Sequence, residues 1–147
     1  IVALSKIIQR ILVEGKKILL VENIFEFPGK ASGLTLIDKL VLENSKLELS
    51  KLSRKINHAY YNYFKSNKNN KSVAINKQLS KIAKNFKIPI LNRMNYICDD
   101  DLEVCDAVEM HLSKNFYDYG HHTLSGAYYF SRHKRLKKFL EPLEKNE

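Results

Sequence analysis

The sequence lacks a long apolar run, a large set of cysteines and a secretion signal. Its continuous apolar runs do not exceed the length of residues 18–21, far short of the roughly 18 residues that a membrane-spanning helix requires. Its two cysteines have no histidine close by, so a four-ligand zinc site is not expected. The chain opens with Ile1 and shows neither the basic start nor the small-residue cleavage site of a signal peptide. We therefore expect it to be a piece of a longer protein.

Acidic residues are missing from one long stretch of the chain. The 147 residues carry 25 Lys and Arg against 16 Asp and Glu, a net charge of +9. Between residues 49 and 98 there are eleven basic residues and no acidic one. This pattern is typical of solvated helix faces, and it also fits a surface for phosphates or anionic polymers. Neither a zinc-finger spacing nor an RNA-recognition motif is present, so no nucleic acid partner is expected.

Length and composition predict a folded chain. The 147 residues suit one domain, and they suffice to bury a core without metal or disulfide support. Hydrophobic residues make up 44 % and charged residues 28 % of the sequence, which argues against disorder over the whole chain.

Apolar spacing predicts alternating helices and short strands. A helix is expected over residues 1–14, stopped by Gly15, which takes a left-handed cap without steric cost. The apolar residues 18–21 then predict a strand covered on both faces, as in a parallel sheet. A helix over residues 73–86 and a strand over 87–91 repeat the order. This alternation predicts an α/β layered domain.

Two further segments connect these units. An irregular stretch is expected from Phe25 to about Leu36, and a helix from about residue 47 to 64. The polar tract over residues 65–71 predicts an exposed loop.

Cys98 and Cys105 stand seven positions apart in an acidic segment. They fit two free buried thiols, and they fit equally a local disulfide, which would require an oxidising compartment. Two cysteines alone do not distinguish these possibilities.

One short segment carries a candidate for acid–base chemistry. Asp118 lies three residues before His121. A carboxylate in that position can hold an imidazole in one tautomer and stabilise it once protonated, the roles of Asp and His in a hydrolase triad. A helix follows, with Thr123 or Ser125 as its cap. Asp-x-x-His alone is common. The alternative interpretation of this spacing is an Asx-turn beside an exposed histidine pair.

The residues around this pair carry a resemblance to a known family. Asp118, His121, Thr123 and the pair Gly126–Ala127 resemble the last sequence block of SGNH (GDSL-like) hydrolases. The block is most similar to that of the C-terminal SGNH domain of family 3 membrane acyltransferases, the O-acetyltransferases of surface polysaccharides. His122 stands where that subfamily usually has Leu, which is a departure from its pattern.

Segments before this block match the family in order. The first helix ending in Gly15, the strand over residues 17–21 and Pro28 resemble one passage of the family, and residues 75–91 resemble another. The cysteine pair stands where many members carry one. The resemblance implies a three-layer α/β/α, flavodoxin-like parallel sheet. It also implies that residues 1–147 are the C-terminal portion of one SGNH-like domain.

The resemblance also implies a mechanism and its partners. In the family a serine of a Gly-Asp-Ser block is the nucleophile, and none of the eleven serines here lies in such a block. No nucleophile is therefore assigned, and this portion alone is expected to be inactive. His121 would be the general base and acid, Asp118 would orient it, and Tyr119 or His122 could line the acceptor pocket.

The expected partners are a carbohydrate acceptor and an acetyl donor that is delivered by a membrane-embedded domain of the parent protein. This domain would lie in the periplasm or outside the cell. No cofactor or metal is expected. Two alternatives remain: a secreted SGNH esterase, and a non-catalytic basic module that binds anionic polymers.

Overall fold

The computed structural model describes residues 2–23, 34–66, 71–117 and 121–144. Within these ranges the chain forms helices joined by very short strands. In chain order the elements are α1 (Val2–Val13), β1 (Leu20–Val21), α2 (Leu36–Glu43), α3 (Leu49–Ser66), α4 (Lys71–Phe86), β2 (Ile90–Leu91), α5 (Met94–Ile97), β3 (Cys98–Asp99), β4 (Val104–Cys105), α6 (Leu124–Arg132) and α7 (Lys134–Glu144).

The first predicted helix and strand are present. Helix α1 ends at Val13, and Gly15 has a φ of 71°, the left-handed conformation that glycine adopts most easily. Strand β1 then pairs in parallel with β2, with Leu20 opposite Ile90. The parallel pairing agrees with the sequence prediction. Val21 is 46 % exposed, however, so the described residues do not cover β1 on both faces.

Helices α3 and α4 also agree with the sequence prediction. Both are amphipathic: α3 buries Leu52, Ile56 and Tyr60, and α4 buries Ile82 and Ala83. Helix α3 continues through Ser66, and α4 already begins at Lys71. The predicted loop is therefore shorter than expected, and its residues 67–70 lie outside the described residues. Helix α4 packs against α1 and β2.

Helix α2 was not predicted. Most of the irregular stretch that the sequence indicated, residues 24–33, lies outside the described residues. A helix begins directly after it because Thr35 and Asp38 form a capping box. The Thr35 Oγ1 accepts a bond from the Asp38 N–H (3.2 Å), and an Asp38 carboxylate oxygen accepts one from the Thr35 N–H (2.9 Å). These bonds satisfy two otherwise unpaired N–H groups.

A single core joins α3 to the second half of the chain. Its most deeply buried members are fully enclosed: Ile56, Ile97, Cys105 and Ala107. Helix α3 packs along β4, and α5 packs against α7. The second half of the chain therefore folds around α3.

The cysteines form a disulfide. Cys98 and Cys105 lie directly opposite each other on the antiparallel strands β3 and β4, and their sulfurs are bonded. Of the two pairings that the sequence left open, the structure has the disulfide. The acidic turn between the strands closes through Asp99, whose Oδ1 accepts bonds from the N–H groups of Asp101 and Leu102 (3.0 Å each).

The helix predicted after the histidine pair is interrupted. Gly126–Ala127 was expected to open one helix containing Tyr128, Leu136 and Leu140, but α6 ends at Arg132 and α7 begins at Lys134. His133 between them is extended, with a ψ of 135°. Its Nδ1 accepts a bond from the Arg135 N–H at 3.3 Å, so the imidazole caps α7 in place of a continuing helical carbonyl.

The described residues hold two small sheets, the parallel pair β1–β2 and the antiparallel pair β3–β4. A three-layer α/β/α arrangement needs a larger parallel sheet, so that expectation stays a prediction. No helix among the described residues has the length and apolar character to cross a membrane.

Candidate functional site

The chain doubles back at the segment that contains the histidine pair. Phe116 and His122 form an isolated antiparallel bridge, and the Tyr117 N–H donates to the His121 carbonyl at 3.1 Å. The two histidines therefore lie on the returning strand, directly before α6.

Thr123 holds the start of α6. Its Oγ1 accepts a bond from the Gly126 N–H (2.9 Å) and donates to the Lys114 carbonyl (2.6 Å). Its own N–H donates to the Asn115 carbonyl at 3.0 Å. Of the two caps that the sequence proposed, Thr123 is the one used. The Ser125 hydroxyl instead donates to Glu109 at 3.0 Å.

His121 is exposed. Its ring stacks on that of Tyr117, with 5.5 Å between centroids and 16° between planes. An exposed imidazole is accessible to a reacting group, as a general base must be. Asp118 and Tyr119 lie outside the described residues, so the predicted Asp118–His121 pairing remains a prediction.

His122 differs sharply from its neighbour. Its half-buried ring lies between Phe116 and Phe130, with centroids 4.7 and 4.8 Å away. Its Nε2 is 3.2 Å from the Tyr96 hydroxyl, and its Nδ1 is 3.4 Å from the Asn115 carbonyl. A carbonyl only accepts, so we assign the proton to Nδ1, and Nε2 then accepts from Tyr96.

Burial lowers the pKa of His122, and the positive charge of Arg93 lowers it further, against the raising effect of the Asn115 carbonyl. The ring is therefore neutral at pH 7, and both of its nitrogens are engaged. This favours a structural role for His122, and the assignment of His121 as the base stays a prediction.

Two consecutive hydrogen bonds between side chains connect His122 to the residues that follow β2. Arg93 follows β2 by two residues, and its Nε donates to the Tyr96 hydroxyl at 3.4 Å. Tyr96 in turn bonds His122. The histidine segment therefore lies near the carboxyl end of β2, the end at which open α/β sheets bind their ligands.

A second polar cluster lies behind this segment. Arg135 pairs with the buried carboxylate of Asp106, and the Tyr129 hydroxyl donates to the same carboxylate at 3.3 Å. Burial raises the pKa of Asp106 in spite of Arg135, and burial together with Asp106 raises the pKa of Tyr129 to about 12. These contacts connect α6 and α7 to the disulfide hairpin, which is a structural role.

The sequence did not indicate Arg93, Tyr96 or Asn115 as parts of the site. Tyr96 and His122 are 26 positions apart, so no local spacing connects them. The described residues contain no group of three or more His, Cys, Asp or Glu side chains placed to hold a metal ion.

No protein-family model matches the chain, and neither a curated protein nor a solved structure matches it. The likeness to SGNH hydrolases therefore rests on the sequence motif, and membership of that family stays a prediction.

Proposed function

We propose that this chain supplies the Asp118–His121 end of a Ser-His-Asp triad in an SGNH-like O-acyltransferase. One observation carries the proposal: the bonds from Arg93 through Tyr96 to His122 hold the histidine segment near the carboxyl end of β2. Active sites of open α/β sheets form at that end. The three-layer sheet would be completed by strands that are not among those described.

His121 is the proton carrier in this proposal. It removes the proton from a serine hydroxyl as the oxygen attacks the acyl carbon of the donor, and it returns the proton to the leaving group. It then takes the proton of the acceptor hydroxyl as that oxygen attacks the acyl carbon of the serine ester, and it returns the proton to the serine oxygen that leaves. Asp118 holds the ring in the tautomer that makes Nε2 the base. The serine is proposed to lie outside these 147 residues.

The disulfide supports the proposed location. Disulfides persist in oxidising compartments such as the periplasm and the cell exterior, and the Cys98–Cys105 bond fits either. There the domain would meet a carbohydrate acceptor. The acetyl donor would reach it through a membrane-embedded acyltransferase domain of the parent protein.

Paired histidine variants in the parent protein test the assignment. We expect His121→Ala to abolish acetyl transfer to the polysaccharide, because no other described group replaces its proton transfer. His122→Ala should only weaken transfer, in proportion to the loss of folded protein. Circular dichroism supplies the folded fraction. Near-wild-type transfer in both variants would contradict the proposal, and acetate release without transfer would favour the esterase.

A second candidate function rests on α4. Lys77, Lys81 and Lys84 are exposed, follow i, i+4, i+7 spacing on one helix face, and have no ion pair with any described residue. Such a stripe fits an anionic polymer. Two other exposed lysines are already paired, Lys51 with Glu48 and Lys65 with Asp100.

Heparin binding tests this second function separately from acyl transfer. If it holds, changing the three α4 lysines to Gln should remove a salt-sensitive affinity for heparin, whereas Asp118→Asn should leave that affinity unchanged. The matched control changes Lys51, Lys55 and Lys65 to Gln, which removes the same charge. Equal losses in both triple variants would indicate a non-specific response to net charge.

A further inference from the structure

A cleft of about 640 Å³ opens between α3, α5 and α7. Its volume is in the range of small-molecule sites, roughly 300–1,000 Å³. Its walls come from the end of α3, the β2–α5 segment, the disulfide hairpin and α7. Its polar lining includes Lys65, Asn92, Asn95, Asp101, Arg135 and Lys138.

The cleft is electrically balanced although the chain carries +9. Three of its lining residues are basic and three are acidic, the latter being Asp99, Asp100 and Asp101. Part of this charge is already paired across the cleft: Lys65 lies 2.8 Å from Asp100, and Arg135 lies 3.9 Å from Asp99. A polyanion would gain little here, because the carboxylates would oppose it.

Several polar groups in the cleft remain available. The side chains of Asn95, Asp101 and Lys138 bond to no described residue. Asn92 uses its Oδ1 to accept from the Met94 N–H at 2.8 Å, which leaves its NH₂ group as a donor. The cleft therefore offers both donors and acceptors, the combination that hydroxyl groups require because each hydroxyl donates and accepts.

The chain around α5 connects the cleft to His122. Asn92 and Asn95 line the cleft, whereas Arg93 and Tyr96 lead to His122. The segment over residues 92–96 therefore contributes side chains both to the cleft and to the contacts of His122.

We propose that this cleft binds an uncharged polyhydroxylated ligand, a neutral saccharide unit. Donors and acceptors would meet its hydroxyls, and Phe64 and Met94, which also line the cleft, would meet its apolar C–H groups. The identification of this ligand with the acetyl acceptor rests on the proposed function. The binding itself does not, since it can be measured without catalysis.

Side-chain amide resonances of the 147-residue chain test the proposal. The chain is titrated with millimolar cellobiose, maltose and N-acetylglucosamine at low and at high salt. We expect saturable shifts of the Asn92 and Asn95 amides at both salt concentrations. Asn85, exposed on α4, is the internal reference and should not shift. The absence of saturable shifts in the cleft, or shifts that disappear with salt, would overturn the proposal.

Variants make the test specific. Asn95→Ala and Lys138→Ala should each weaken saccharide binding about three- to tenfold, the value of one hydrogen bond, and Asn85→Ala should not change it. His121→Ala should bind as well as the wild-type chain. If His121→Ala loses transfer but neither the wild-type chain nor any variant binds a saccharide, the cleft proposal fails and the proposed function stands. If the cleft binds a saccharide but His121→Ala keeps its transfer activity, the cleft proposal stands and the proposed function fails.

Discussion

Gly126 packs directly on the backbone of Asn115. A Cβ atom at position 126 would lie 2.2 Å from the Asn115 carbonyl oxygen and 2.6 Å from its Cα. The same carbonyl accepts bonds from the Thr123 N–H and from His122 Nδ1. The glycine of the motif is therefore needed for close backbone approach, and the Asn115 carbonyl connects this contact to His122.

Gly126→Ala should destabilise the fold. The added methyl group meets backbone and not a flexible side chain, so α6 must move away from Asn115, which costs about 1–3 kcal/mol or more. Urea denaturation measures the loss. Ser125→Ala, an exposed neighbour in the same helical turn, should change the free energy of unfolding little. An unchanged urea midpoint for Gly126→Ala would show that the contact is not as close as described.

Loss of the disulfide should cost stability. Cys98 and Cys105 close a loop with a sequence separation of 7, and the chain-entropy estimate for such a loop is about 2–3 kcal/mol. The double variant Cys98→Ala/Cys105→Ala should lower the free energy of unfolding by that amount. Thiol titration of the denatured protein should find no free thiol before reduction and two after it. Two thiols before reduction would contradict the bond.

The pKa of His122 predicts a dependence of stability on pH. Because the folded state lowers this pKa below 6.5, the unfolded chain binds the proton more readily. The contribution of the neutral His122 ring to the free energy of unfolding is complete above pH 6.5. It is lost as the pH falls from there through the folded-state pKa. His122→Gln should show a shallower loss of stability on acidification than the wild type. His111→Gln, at an exposed histidine, should keep the wild-type slope.

The capping box of α2 should be worth about 1 kcal/mol. Asp38 accepts a bond from Lys114 at 2.6 Å and bonds from Thr35, which together lower its pKa to about 2. Asp38→Asn should therefore lower the unfolding free energy at neutral pH. The difference from the wild type should shrink as the pH falls from 3.8 towards 2, where Asp38 itself is protonated. Glu43→Gln, at the exposed end of α2, is the control. A pH-independent difference would contradict this charge-based account.

Much of the helical structure could be predicted because its signals are local. The i, i+3/i+4 spacing of Leu52 and Ile56 marks the buried face of α3, and Gly15 marks the end of α1. The cap at Thr123 likewise depends on three neighbouring residues. Helix α2 carried an equally local signal in Thr35-x-x-Asp38, so its omission was an error of interpretation and not a limit of the sequence.

Other features had no local signal. At the break, His133 accepts a bond from the Arg135 N–H, and Arg135 also pairs with Asp106, 29 positions earlier in the chain. The pairing of the cysteines depends on whether β3 and β4 lie side by side. Both are decided by packing between segments that spacing alone cannot bring together.

The sequence by itself determined the helix faces, the net charge of +9 and the motif from Asp118 to Ala127, because each depends on residue type and short spacing. The tertiary structure decided which residues are exposed and which are buried and hydrogen-bonded. His121 and His122 are adjacent in the chain, yet one is exposed and the other is bonded to Tyr96 and Asn115. The same holds for charge, since a basic chain surrounds a cleft with balanced charge. These differences arise from burial and from contacts between residues far apart in the chain, which composition and short spacing do not specify.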